Sequence, residues 1–244
     1  MTSTELQNKL DAFTELVGIT EAVLALYDTD DLAGYAPVVK PGEGECCWAF
    51  YDAWHEGTTL ALSKDNYGCR GAGRYLAGGP TPPEAEMANF LYKGEGLKAS
   101  LDITKDWMKE MWAHKTDRQY TLIGPFRPER YDEISTITFL VSPDQLSALI
   151  WAAEWQRPEG VPGNIVVTIA AGCGMIDPFR GSTQPMAAIG ANDLAMRKHI
   201  PPHILAFTVN KPMLEQLLAM DNTSFLHKPF WSQLKEVRAR QEGL

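Results

Sequence analysis

The sequence predicts an α/β fold: one compact domain over residues 1–244, with a mixed, mostly buried sheet covered by helices. Three observations lead there. Segments with helical spacing alternate with short apolar runs. The apolar runs are continuous rather than alternating, the pattern of strands buried on both faces. No internal repeat, low-complexity tract or linker breaks the chain, and its 45% hydrophobic and 22% charged residues suffice for a sizeable core.

The first helix starts at Thr2, which has capping-box spacing to Glu5. Leu6, Leu10, Phe13 and Val17 give it one apolar stripe, and Gly18 is placed to stop it. Glu21–Tyr27 reads as a buried strand, followed by an Asp-, Gly- and Pro-containing loop over Asp28–Glu45. Cys46–His55 reads as a short helix with Trp48, Tyr51 and Trp54 as its apolar bulk, and Thr58–Ser63 as a strand. Asn66–Gly79 crowds five glycines around Cys69, and Pro80, Pro82 and Pro83 end that unit. Pro83 suits the first turn of another helix.

Trp107, Met108, Met111 and Trp112 form a patch on a helix ending near Lys115, suited to a core or to an oligomer contact. Ile134–Val141 is a β-rich apolar run, after which Ser142-Pro143 opens a helix with Leu146, Leu149, Ile150 and Ala153 on one face. Asn164–Ala170 reads as a second buried strand. Asn210 and Pro212 start a helix carrying Leu214, Leu217 and Leu218, and a last helix from Pro229 turns Trp231, Leu234 and Val237 inward.

Charge narrows the partners. The net charge is −9, and lysines and arginines never run beyond two. Nucleic-acid and anionic-membrane partners, which need a basic face, are therefore not expected. The N-terminus lacks the basic start and apolar core of a signal peptide, and no stretch approaches the ~20 apolar residues of a membrane span. A cytoplasmic location follows as the expectation, and with it reduced thiols.

Cysteine is often a small buried hydrophobe, so the four cysteines mean little by count alone. Two have a telling context. Cys69 lies between Gly68 and Arg70-Gly71, after a predicted strand, and Cys173 lies between Gly172 and Gly174, again after a predicted strand. Glycine permits close approach of the main chain and bares N–H groups that stabilise thiolate or inorganic sulfur. Ligand sites in open α/β sheets gather beyond strand carboxyl ends, which gives the two cysteines a route to each other. Cys46-Cys47 supplies a third ligand, Cys47, with Cys46 a candidate fourth and His55 a weaker one. No Cys-x-x-Cys spacing of a zinc ribbon or ferredoxin is present.

These residues carry a family likeness. The stretch from Cys47 to Gly78, CWAFYDAWHEGTTLALSKDNYGCRGAGRYLAG, resembles the strand, cysteine-opened helix, strand and glycine-rich cysteine segment of the uncharacterised ArCR family, domain of unknown function (DUF) 169. Tyr131–Leu149, with Pro143 and Gln145, is similar to that family's β run and helix start, and AAGCGMIDPFRG matches through Cys173, Pro178 and Phe179. The likeness spans most of residues 19–218. One departure is the stretch Gly190-Ala191-Asn192-Asp193, which has no cysteine where family members often carry one. The family has no established activity, so the resemblance implies shared cysteine positions and no reaction.

Three functional readings follow. The first is an iron–sulfur or other thiolate-bound metal centre on Cys47, Cys69 and Cys173, serving an unknown redox partner. The second is nucleophilic catalysis by Cys69 or Cys173, for which no histidine is tied to a cysteine by motif. His199 and His203 are four apart, but Pro201 and Pro202 between them break a helical metal pair. The third is binding of a small anionic ligand by the glycine-rich loops, with Arg70, Arg74 or Arg180 as counter-charge. Glycines 68, 71 and 73 do not make a dinucleotide fingerprint, and Asp30-Asp31 and Glu84/Glu86 read as solvated or capping carboxylates. The tryptophans and methionines leave a homo-oligomer open.

Overall fold

The protein is described from a computed structural model that covers residues 1–37, 46–69, 76, 83–111, 116–158, 163–169 and 180–242. Seven strands form one mixed sheet: β1 (Leu24–Thr29), β2 (Leu60–Leu62), β3 (Tyr120–Pro125), β4 (Ile134–Val141), β5 (Ile165–Val167), β6 (Ala187–Gly190) and β7 (Leu205–Asn210). Their order is β2-β3-β1-β4-β7-β6-β5. Every neighbouring pair is antiparallel except β5 with β6.

Eight helices accompany the sheet among the described residues. In α1 (Ser3–Val17) the Thr2–Glu5 capping box forms, Leu6, Leu10, Phe13 and Val17 are buried, and Gly18 closes the helix at φ +84°. Helix α2 spans Cys46–Glu56; α3 (Glu84–Asn89) runs into a π turn at Phe90–Gly94 and packs with α4 (Leu101–Met111) around Met87, Leu91 and Met108. Met108 thus serves a core, whereas the Met111 side chain and Trp112 lie outside the described residues. Helix α5 (Pro143–Glu154) starts with the Ser142–Gln145 capping box, and Gln145 Nε2 also donates to Gly18 O, joining the end of α1 to the start of α5. Helices α6 (Leu194–Arg197), α7 (Lys211–Leu218) and α8 (Pro229–Glu242) complete the set, with Asn210 capping α7 through the Met213 N–H at 3.1 Å.

Strand alternation divides the core in two. Ala25, Tyr27, Leu122, Phe139, Phe207 and Val209 face α1, α5, α7 and α8. Leu24, Leu26, Ile123, Leu140 and Ala206 face the other way, against Phe50 of α2 and Met196 beside Ile200 and Ile204. Both faces being apolar explains why the strand sequences read as unbroken runs.

The structure departs from expectation in three places. Asn164–Ala170, expected as a buried strand, contributes only Ile165–Val167 at the sheet edge, with Val167 68% exposed. Val237 points outward rather than inward, 43% exposed. Strands β3, β6 and β7 carry no assignment in the sequence reading, since glycine, proline or alanine dilutes the β signal in two of them.

Burial pushes the Tyr27 and Tyr35 hydroxyls above the ordinary phenol value, and at Tyr35 the Glu133 carboxylate that accepts its proton at 2.6 Å adds to the effect. Tyr131 is raised likewise, by burial and then by the charge of Glu215. A phenol whose folded pKa is raised contributes stability that is intact below its unfolded value, about 10, and lost as pH climbs from there toward the folded value. Alkaline titration is therefore expected to show some of the eight tyrosines ionising only together with loss of circular dichroism. Phenylalanine at position 27 should move that transition to higher pH; a transition unmoved, with all tyrosines ionising at the ordinary phenol value, would contradict the assignment.

Candidate functional site

On the second face the chemistry-bearing residues begin with α2. Cys47 is the second residue of that helix, where first-turn N–H groups lack helical partners and favour a thiolate. Cys47 lines a crevice of about 10 Å³ with Phe50, Tyr51, Trp54, Met196 and His199. That is room for about one water molecule. His55 stacks on Tyr51 and Trp54 at ring separations of 4.4 and 4.0 Å, and His199 meets the Tyr51 edge at 6.2 Å. Arg197 holds the loop carrying His199 by donating to Ile204 O at 2.5 Å.

Cys69 arrives from β2. After Leu62 the chain turns around buried Asn66, whose Nδ2 donates to Ala61 O at 2.7 Å and whose Oδ1 accepts from Ser63 N. Tyr67 and Gly68 then lead to Cys69. Both Cys47 and Cys69 are half-buried and pack on one apolar cluster, that of Leu24, Leu26, Phe50, Leu62 and Leu76. The cysteine-opened helix and the glycine-flanked cysteine are thus brought to one face of the sheet.

Cys173, Arg70, Gly71, Gly172, Gly174 and the Cys46 side chain lie outside the described residues. The strand-end route proposed for Cys173 is corrected all the same. Strand β2 ends at the Asp28 end of the sheet, whereas β5, parallel to β6 and so opposed to β7, ends at the other. The two strands are also the outermost ones, about 29 Å apart at ~4.8 Å per strand. Strand ends alone do not make these cysteines neighbours.

A different contact joins Leu76 to Arg180. Arg180 is buried at the Asp28 end, donating through Nη1 to Leu76 O at 3.2 Å and through Nη2 to Asp28 Oδ1 at 2.9 Å and Thr121 Oγ1 at 3.1 Å. Thr121 Oγ1 in turn lies 2.6 Å from Leu76 O. Asp28 also accepts from Ser135, the extra residue of a β-bulge between β1 and β4. Leu76 is seven residues past Cys69 and Arg180 seven past Cys173. The pair sits beside a polar cleft of about 310 Å³, also lined by Arg118, Glu133, Asn210 and Lys211.

The same face carries buried hydroxyls along the central strands. Thr138 and Thr208 bond to each other at 2.8 Å, while Thr136 Oγ1 is buried with no hydrogen-bond partner among the described residues. Sequence reasoning missed Asp28, Thr121 and Ser135; the available signal was a carboxylate closing an otherwise apolar strand, which burial makes costly unless paired. Among the described residues, no three His, Cys, Asp or Glu side chains are grouped to hold a metal ion. No helix among them is long and apolar enough to cross a membrane.

The family model described as uncharacterised ArCR, DUF169, matches residues 12–220. The chain belongs to this family. No curated protein and no solved structure matches it. For this DUF169 member, then, function has to be argued from its own side chains.

Removing Arg180 leaves Asp28 charged and only 14% exposed without its counter-ion. Arg180→Met is expected to cost about 3–5 kcal/mol of unfolding free energy, read from the urea midpoint. Asp28→Asn, which keeps one of the two acceptor oxygens, should cost less, and the double variant less than the sum of the two. Additive losses would show that the pair is not coupled.

Proposed function

We propose that this chain carries a thiolate-bound metal centre, an iron–sulfur cluster, on the second face of the sheet, held by Cys47, Cys69 and Cys173 with Cys46 as a fourth candidate. The observation that supports the reading is the Arg180–Leu76 hydrogen bond, which joins the residue seven past Cys69 to the residue seven past Cys173, with Leu76 in the apolar cluster on which Cys47 and Cys69 pack. The donor set suits the group: soft thiolates select iron–sulfur clusters and zinc over harder cations. The surroundings suit it as well, since an apolar wall of Leu24, Leu26 and Leu62 lowers the local dielectric.

When bound, such a cluster supplies one-electron transfer, and three thiolates on a four-iron cluster leave one iron open to a small-molecule ligand. The chain's own residues would do the rest. The first-turn N–H groups of α2 stabilise the Cys47 thiolate. The glycines that flank the cysteines in sequence, Gly68, Gly71, Gly172 and Gly174, would supply unhindered amides for sulfur, and Arg70, next to Cys69 in sequence, a cation. The partner is a redox protein or a small-molecule substrate.

Anaerobic purification with iron and acid-labile sulfide analysis tests this. Wild-type protein is expected to contain both elements, and Cys69→Ser and Cys173→Ser to lose them while remaining folded. Wild-type protein with neither element after reconstitution would sink the proposal. A second reading, cysteine-nucleophile chemistry, is favoured by one observation: Cys47 and His199 line the same crevice. It expects metal-free protein in which His199→Gln shifts the pH dependence of Cys47 alkylation.

A further inference from the structure

Helices α5 and α8 run antiparallel on the first face of the sheet, away from the cysteines. Arg238, late in α8, pairs with Asp144 in the first turn of α5, while Phe225, just before α8, meets Trp151 at a ring separation of 5.4 Å. Their outer side is unusually apolar. Trp151 is 65% exposed, Phe230 84%, Trp155 43% and Val237 43%. The spacing explains the alignment: Trp151 and Trp155 are four apart, and Phe230 and Val237 seven, so each pair shares a helix face. Among the described residues the remaining large exposed hydrophobics are Met1, ahead of α1, and Phe90, Ile103, Val167 and Leu194, each on a different element.

Between the two helices lies a recess of about 560 Å³ lined by Ser147, Ala148, Trp151, Phe230, Trp231 and Leu234. Its floor is fixed: Trp231 is 7% exposed and donates from Nε1 to Leu16 O at 3.0 Å. The surface therefore holds a hollow over small residues with large aromatic knobs beside it.

We infer that this face binds a second copy of the chain, forming a two-fold homodimer. A patch that carries both knob and hollow is complementary to itself, which an isologous interface requires and which a two-fold axis across it would satisfy. The area agrees. At ~150–250 Å² per aromatic side chain, the four exposed residues offer on the order of 450 Å² of apolar surface. A standard interface buries about 800 Å² per partner, roughly 65% of it apolar in homodimers. The charges agree too. The chain is strongly acidic overall, but ion pairs frame this face, Arg238 with Asp144, Arg157 with Glu154 and Arg240 with Glu236, and Lys228 adds a positive charge at the recess. The acidic surplus of a −9 chain is therefore not concentrated where the two copies would meet.

Light scattering of the full chain during size exclusion, over a dilution series, tests the inference. The expected mass is about twice 27.1 kDa, falling to the single-chain value in Trp151→Glu/Phe230→Glu with circular dichroism unchanged. Trp151→Gln and Phe230→Gln alone should each weaken the dimer at least tenfold, and Ile103→Glu, exposed on α4, should leave it intact. A wild-type monomer at all concentrations overturns the inference, whether it is inert or instead sediments with phosphatidylglycerol vesicles. So does a dimer that survives the paired glutamates.

Discussion

The buried pairing of Asp28 with Arg180 fixes how the second face of this protein is closed. Two opposite charges lie 2.9 Å apart, with side chains 14% and 5% exposed. Removing such groups from water costs several kcal/mol each, so the pair is tolerable only where further hydrogen bonds meet it. They do. Asp28 accepts from β3 through Thr121 and from β4 through Ser135, while Arg180 reaches the main chain at Leu76. One charged contact thereby joins two neighbours of β1 to Leu76 and Arg180, which are 104 residues apart in the chain.

The two faces of the sheet differ in kind. The first is an apolar layer under four helices, built by the capped, striped helices the sequence announces. The second places Thr121, Thr136, Thr138 and Thr208 among its leucines, all nearly fully buried. Threonine keeps the β-branched shape that suits a strand while adding a hydroxyl. Valine would supply that shape with no polar group to satisfy, so packing alone gives no reason for four buried hydroxyls. They share this face with Asp28, Arg180, Cys47 and Cys69, so its buried layer carries polar groups as well as apolar ones.

Helices α1, α5 and α7 were legible because their signals are local: a capping residue, an apolar stripe, a stop. Strand β4 was legible for the same reason, eight residues with no glycine or proline. Strands such as Ala187–Gly190 were not, since their strand character comes from pairing with β7 rather than from side-chain propensity. Of the site, glycine context singled out Cys69, and the Cys46-Cys47 pair with the family likeness singled out Cys47; the structure packs both on one apolar cluster. Asp28 and Arg180 are 152 residues apart, and no spacing rule links such residues. Arg180 could be read only as a free counter-charge, and Asp28 only as the start of a loop.

Strand ends do not converge in this sheet, for a reason that bears on the proposed centre. Sites gather at carboxyl ends when strands are parallel, because those ends then lie on one side. In a sheet whose neighbours are antiparallel in five of six pairs, carboxyl ends alternate between sides, and convergence needs an anchor. Arg180 provides one, and its contact at Leu76 is to a carbonyl rather than a side chain. A carbonyl acceptor fixes where residue 76 lies without fixing which residue it is. Leu76 and Arg180 are thus positioned at the Asp28 end of the sheet by Asp28 and Thr121, through charge and hydrogen bonding rather than through strand pairing.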